Sequence, residues 1–101
     1  MAKNSYTRIA SVAKACEIIA IVAEAREPIT GNEVAARAQL PAGTVMCQLM
    51  TLEDAGLVEE MRDGWRLGIK MAVYWARIRS AKEFERDKLN EEIKTIGGDA
   101  R

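Results

Sequence analysis

The sequence contains no histidine, two cysteines, two prolines and a single phenylalanine, and it carries no excess charge of either sign. Without histidine it lacks the commonest general base and metal ligand. Cys16 and Cys47 lie far apart with no CxxC spacing, which excludes a disulfide framework and a zinc site and leaves two free thiols in a reducing compartment. Fifteen lysines and arginines balance fifteen aspartates and glutamates, so bulk charge does not draw the chain to a polyanion or an acidic membrane. Long apolar runs are missing too. The longest, "ACEIIAIVAEA", is interrupted by Glu17 and Glu24 and falls short of the roughly 20 residues a membrane span needs. The opening "MAKNSYTRIAS" has neither the apolar core nor the cleavage site of a secretory leader. No phosphate loop, paired-carboxylate motif or metal spacing is present. The expectation is a cytoplasmic protein with no membrane segment, no enzymatic activity, no cofactor and no metal.

What is there is enough apolar material, 49% of 101 residues, to build one modest core. Ile9, Val12, Ala13, Cys16, Ile19, Ala20 and Ala23 keep the three-and-four spacing of one helix face, and Ala15, Ile18 and Val22 form a second row beside it. So greasy a helix is either central to the core or shared with a second subunit. Pro28 breaks the pattern and Ile29 is a candidate for a short strand. Thr30 and Glu33 then form a capping box that starts a second helix of about two turns. The residue before Pro41 is pushed out of helical geometry, which makes a turn, and Pro41 suits the first turn of a third helix. That helix buries Val45, Leu49 and Leu52 and stops at Gly56. "LVEEM", "RDG" and "WRLGI" read as strand, tight turn and returning strand. A last helix runs from Lys70 to about Ile96, where "GG" ends it.

This order is that of a winged helix-turn-helix, mainly α with a small β-hairpin, followed by a long C-terminal helix. The expected layout is a flexible arm over residues 1–8, the winged helix over 9–69, a linker or dimerisation helix over 70–96 and a disordered tail over 97–101.

The residues Ser11, Pro28 to Thr30, Leu40, Pro41 and Thr44, the stretch "TLEDAGLV" from Thr51 and "WRLG" from Trp65 occur in one order. Together they resemble the DNA-binding domain of IclR-type transcriptional regulators over about residues 9 to 71. The resemblance implies double-stranded DNA as partner and a homodimer as the working form. Such regulators usually continue into a larger effector-binding domain. The sequence stops after the linker helix, so a reader with no small-molecule effector domain is expected. A second departure lies in the third helix. Where the family commonly shows lysine, serine, histidine and arginine, this sequence has Ala42, Gly43, Met46, Cys47 and Met50.

With Val45, Leu49 and Leu52 turned inward, Gly43, Thr44, Cys47, Gln48 and Thr51 are the candidates for reading base edges. Gln48 suits an adenine, and the threonines suit phosphate or a thymine methyl. The same face also reads as merely solvated, or as a protein-binding surface softened by Met46 and Met50. Residues 41–61 hold four acids and no base, whereas residues 62–82 hold six bases and one acid. The phosphate-contact candidates are therefore Lys3, Arg8, Arg37, Arg62, Arg66 and Lys70, gripping the backbone while an uncharged helix reads the groove. A solvated face balanced by the acids from Glu83 onward is the competing reading of that cluster. Trp65 is either a plug beneath the hairpin or a stacking platform. Ile18, Ile21, Val22, Tyr74, Ile78, Leu89 and Ile93 are the candidate dimer contacts. The functional expectation is a sequence-specific DNA-binding regulator acting by site occupancy, with a protein-interaction adaptor on the same scaffold as the alternative.

Overall fold

The computed structural model describes residues 5–97. Its elements are α1 (Ala10–Glu24), α2 (Gly31–Ala38), α3 (Ala42–Asp54), β1 (Val58–Met61), β2 (Gly64–Leu67) and α4 (Ile69–Gly97). The architecture is a winged helix-turn-helix followed by a long helix. It divides into two units at the step from Lys70 to Met71. Lys3 and most of the expected arm and tail, residues 1–4 and 98–101, lie outside the described residues. Gly97, placed in the tail by the sequence reading, is the last residue of α4.

The core of the first unit is built from Ile18 and Val22 of α1, Val34 of α2, Val45, Leu49 and Leu52 of α3, Val58 and Trp65 of the hairpin, and Ile29. This corrects the dimer assignment: Ile18 and Val22 are 0% and 3% exposed, so their surface is spent inside the chain, and Ile21 is half-buried. The core draws on both apolar rows of α1, since Ile19 of the first row packs against it beside the second. Ala15, Ile18 and Val22 face inward, while Ile9, Val12, Ala13, Cys16, Ala20 and Ala23 are exposed. Each branched side chain fully buried there contributes about 1.5–3 kcal/mol.

Helix α2 starts where the capping box predicts. The Glu33 N–H donates to Thr30 Oγ1 and the Thr30 N–H to Glu33 Oε1, both at 3.1 Å. It ends at Gln39 in the left-handed conformation, φ 58°. Pro41 sits as the N-cap of α3, one position earlier than the first-turn site expected for it, and provides no side-chain cap. Gly56, at φ 80°, then reverses the chain beyond α3 in a backbone region that a Cβ penalises.

The wing pairs Val58 with Leu67, Glu59 with Arg66, Glu60 with Trp65 and Met61 with Gly64, across a loop of Arg62 and Asp63. Ile29 adds an isolated antiparallel bridge to Trp65, through N–H···O bonds of 3.0 and 2.7 Å. Gly64 lies against this third chain segment. A Cβ there would come within 2.7 Å of the Ile29 backbone. Trp65 is 3% exposed, so it is a plug in the core and the stacking-platform reading is withdrawn.

In the second unit no residue of α4 is buried. The helix carries surface ion pairs, Arg79–Glu83 at 3.0 Å and Lys82–Glu85 at 3.5 Å, and the Arg79 guanidinium stands 5.2 Å from the Trp75 ring centre.

Candidate nucleic-acid interface

Burying Val45, Leu49 and Leu52 decides what α3 shows to solvent. The row opposite them, at helical spacings of four, three and four, is Gly43, Cys47, Met50 and Asp54, and every one of these is exposed. Thr44 and Gln48 belong to a flank and are half-buried. The predicted reading row of Thr44, Cys47, Gln48 and Thr51 is therefore rotated toward α1. These four residues form one wall of a cleft whose other wall is Ser11, Val12 and Ala15. Gln48 Nε2 donates to the Ser11 carbonyl at 3.3 Å, and the Thr51 hydroxyl donates to the Cys47 carbonyl at 2.8 Å. Both side chains are engaged within the chain, Gln48 as a link between α1 and α3.

The other flank of α3 is Met46. It borders a second cleft together with Thr30, Gly31 and the wing tip from Glu60 to Trp65, which includes Arg62. The Met46 sulfur lies 3.0 Å from where a Gly31 Cβ would stand. The sequence reading weighed Met46 and Met50 only as softening a protein-binding face and left them out of the base-reading candidates, yet both are exposed on α3. A helical wheel centred on the buried trio, rather than a list of polar residues, points to them.

At its N-terminal end α3 is neutral and open. Ala42 to Met50 includes no charged residue, no side chain caps the first turn, and nothing lies within 4 Å of the position a Gly43 Cβ would take. Free N–H groups and the positive end of the helix dipole are thus presented at the tip. The C-terminal end is acidic through Glu53 and Asp54, and Glu53 Oε2 accepts the Glu60 N–H at 3.4 Å.

The cations divide. Arg62, at the wing tip beside the Met46 cleft, has no ion pair among the described residues. Arg66 is held by Glu59 directly across the hairpin, at 2.6 and 2.7 Å. Arg66 also borders a different cleft, with Pro28 and Ala25 at the far end of α1. Lys70 lays its aliphatic stem over Gly56, its Cγ 2.7 Å from a Cβ position there. Arg8 is exposed just ahead of α1, and Arg37 is exposed in the last turn of α2. Thus Arg62 is brought beside α3, Arg66 is paired across the hairpin, and Lys70, exposed, has no ion pair among the described residues. Arg37 also acts on Glu33, whose pKa is lowered first by the hydrogen bond from the Thr30 backbone, then by the Thr30 hydroxyl, and in lesser part by Arg37.

The family model of the IclR helix-turn-helix domain matches residues 11–61, which run from α1 through β1. No curated protein matches the chain.

Proposed function

The chain belongs to the IclR helix-turn-helix family, a family of DNA-binding transcription regulators, and from that premise we propose that it reads double-stranded DNA sequence-specifically with the N-terminal half of α3 and acts by occupying its site. The observation that carries this reading is the uncapped and uncharged start of α3 beside Arg62, which has no ion pair among the described residues. Helix-turn-helix proteins place the N-terminal residues of this helix against base edges in the major groove. Free N–H groups at a helix start bind phosphate without any lysine. Gly43 allows the backbone to approach closely. Cys47 and Met50 offer apolar contact of the kind a thymine methyl accepts. Arg62 supplies a phosphate contact on one side, and Arg8 and Arg37 supply the cationic margin. Two copies would present two such helices to a pair of half-sites. Gln48 is assigned the role of holding α1 against α3, with Thr44 at the edge of the reading surface.

A second reading, a protein-interaction adaptor, is favoured by one observation. Met46 and Met50 are 37% and 57% exposed, and methionine is adaptable at protein-binding surfaces.

Cys47 supplies the test, because both cysteines are exposed and Cys16 lies on α1. Maleimide labelling is followed at each thiol with and without a large excess of random-sequence duplex at low and high salt. Selective protection of Cys47 that weakens as salt rises supports DNA reading. Equal labelling of both thiols under every condition sinks it, and protection by a co-purifying protein instead of duplex supports the adaptor.

A further inference from the structure

The second unit carries an apolar face of its own. On a wheel of 3.6 residues per turn, Met71, Tyr74, Trp75, Ile78, Leu89, Ile93 and Ile96 fall on one stripe of α4 about 100° wide. Apart from the half-buried Met71, its members are exposed, from Tyr74 at 46% to Ile96 at 83%. The middle of the stripe is polar, with Lys82 and Glu85 in line with the apolar residues, and the two are ion-paired on the helix surface at 3.5 Å.

We propose that α4 pairs antiparallel with α4 of a second copy of this chain, about a two-fold axis crossing between residues 83 and 84. The stripe is self-complementary only in that sense. About this axis Lys82 faces the partner's Glu85 and Glu85 faces the partner's Lys82. Ile78 then faces the partner's Leu89, and Met71 the partner's Ile96. A parallel pair in register would instead set Lys82 against Lys82 and Glu85 against Glu85 in the seam, where like charges repel and a buried polar group selects register. The antiparallel pair has one unfavourable edge, where Arg79 approaches the partner's Arg86. Each of those guanidiniums carries its own carboxylate, Glu83 and Asp87.

This rests on the proposed working form of two copies and specifies its polarity and register.

Sedimentation equilibrium of the full chain, without DNA, tests the pairing. The wild type is expected to dimerise. Lys82→Glu and Glu85→Lys each place like charges in two symmetric layers and are expected to raise the dimer Kd by about tenfold or more, while Lys82→Glu/Glu85→Lys restores it. A parallel seam predicts no loss in either single variant and no rescue in the double. Polarity is read separately in a Cys16→Ser/Cys47→Ser background. Ile78→Cys mixed with Leu89→Cys should cross-link through a short bismaleimide, and Ile78→Cys alone should not. A monomer at high concentration overturns both the pairing and the two-copy form. A dimer whose Ile78→Cys chains cross-link to each other overturns the antiparallel inference alone and leaves DNA reading standing.

Discussion

Glu59 restrains the wing, and removing its charge should strengthen DNA binding. Glu59→Gln keeps the side-chain volume but releases Arg66, which is now clamped at 2.6 Å. The pair is half-exposed, its side chains 56% and 39% accessible, so its loss should cost at most about 1 kcal/mol of stability. The freed guanidinium remains on the hairpin face that points to solvent and becomes available to a phosphate. Each phosphate contact on B-DNA steepens the dependence of log K on log salt by about 0.9. Between roughly 50 and 200 mM salt, one extra contact therefore adds about a threefold to fourfold change in affinity, and two in a dimer about twelvefold. Fluorescence anisotropy of a labelled duplex across that range measures the slope. The wild type and Arg66→Ala should have nearly the same slope, Arg62→Ala a shallower one and Glu59→Gln a steeper one. If Arg66→Ala flattens the slope as much as Arg62→Ala does, the cross-hairpin pair opens on DNA. If Arg62→Ala leaves it unchanged, the wing does not touch the backbone.

Gln48→Ala should lower stability through the lost link to Ser11, by about 0.5–1.5 kcal/mol in urea titration, and weaken every duplex alike. A change confined to one base pair would instead return Gln48 to the reading surface. Leu49→Ala removes a fully buried side chain and should cost about 2–5 kcal/mol; a loss below about 1 kcal/mol by the same titration would contradict the packing of α3 on α1 and α2. Thr30→Ala deletes the cap of α2 and should cost about 0.5–2 kcal/mol. Because Glu33 has a lowered pKa in the folded chain, its contribution is complete above the ordinary carboxylate value and is lost as pH falls through the lower folded value. Thermal melts of Glu33→Gln should therefore show a weaker acid destabilisation than wild type, and an identical pH profile would remove the cap from the explanation.

The elements were legible because each boundary has its own local chemistry: Thr30 with Glu33, the turn before Pro41, Gly56, and the strand alternation on either side of Arg62 and Asp63. The facing of α1 was not legible. Both of its rows are apolar at helical spacing, and only the shape of the space beside Val34 and Leu49 selects Ile18 and Val22. For the same kind of reason the candidate site was half readable. The inward trio of α3 determines its outward row, yet Thr44, Gln48 and Thr51 stand out on polarity while Met50 and Asp54 are the residues that point away. The clamp on Arg66 depends on strand register, since Glu59 and Arg66 meet only when Met61 pairs with Gly64. Seven positions of sequence separation conceal that meeting.

The junction after the wing is fastened by two main-chain hydrogen bonds. Gly68 donates to the Leu57 carbonyl at 2.8 Å and Lys70 to the Gly56 carbonyl at 3.3 Å, and a Cβ on Gly68 would collide with the Gly56 oxygen. A clasp of this kind is indifferent to side-chain identity everywhere except at its glycines. Sequence drift or a grafted segment beyond residue 70 leaves these two main-chain bonds, which lie before it, in place at the end of α3. A change meant to open this clasp therefore belongs at Gly68.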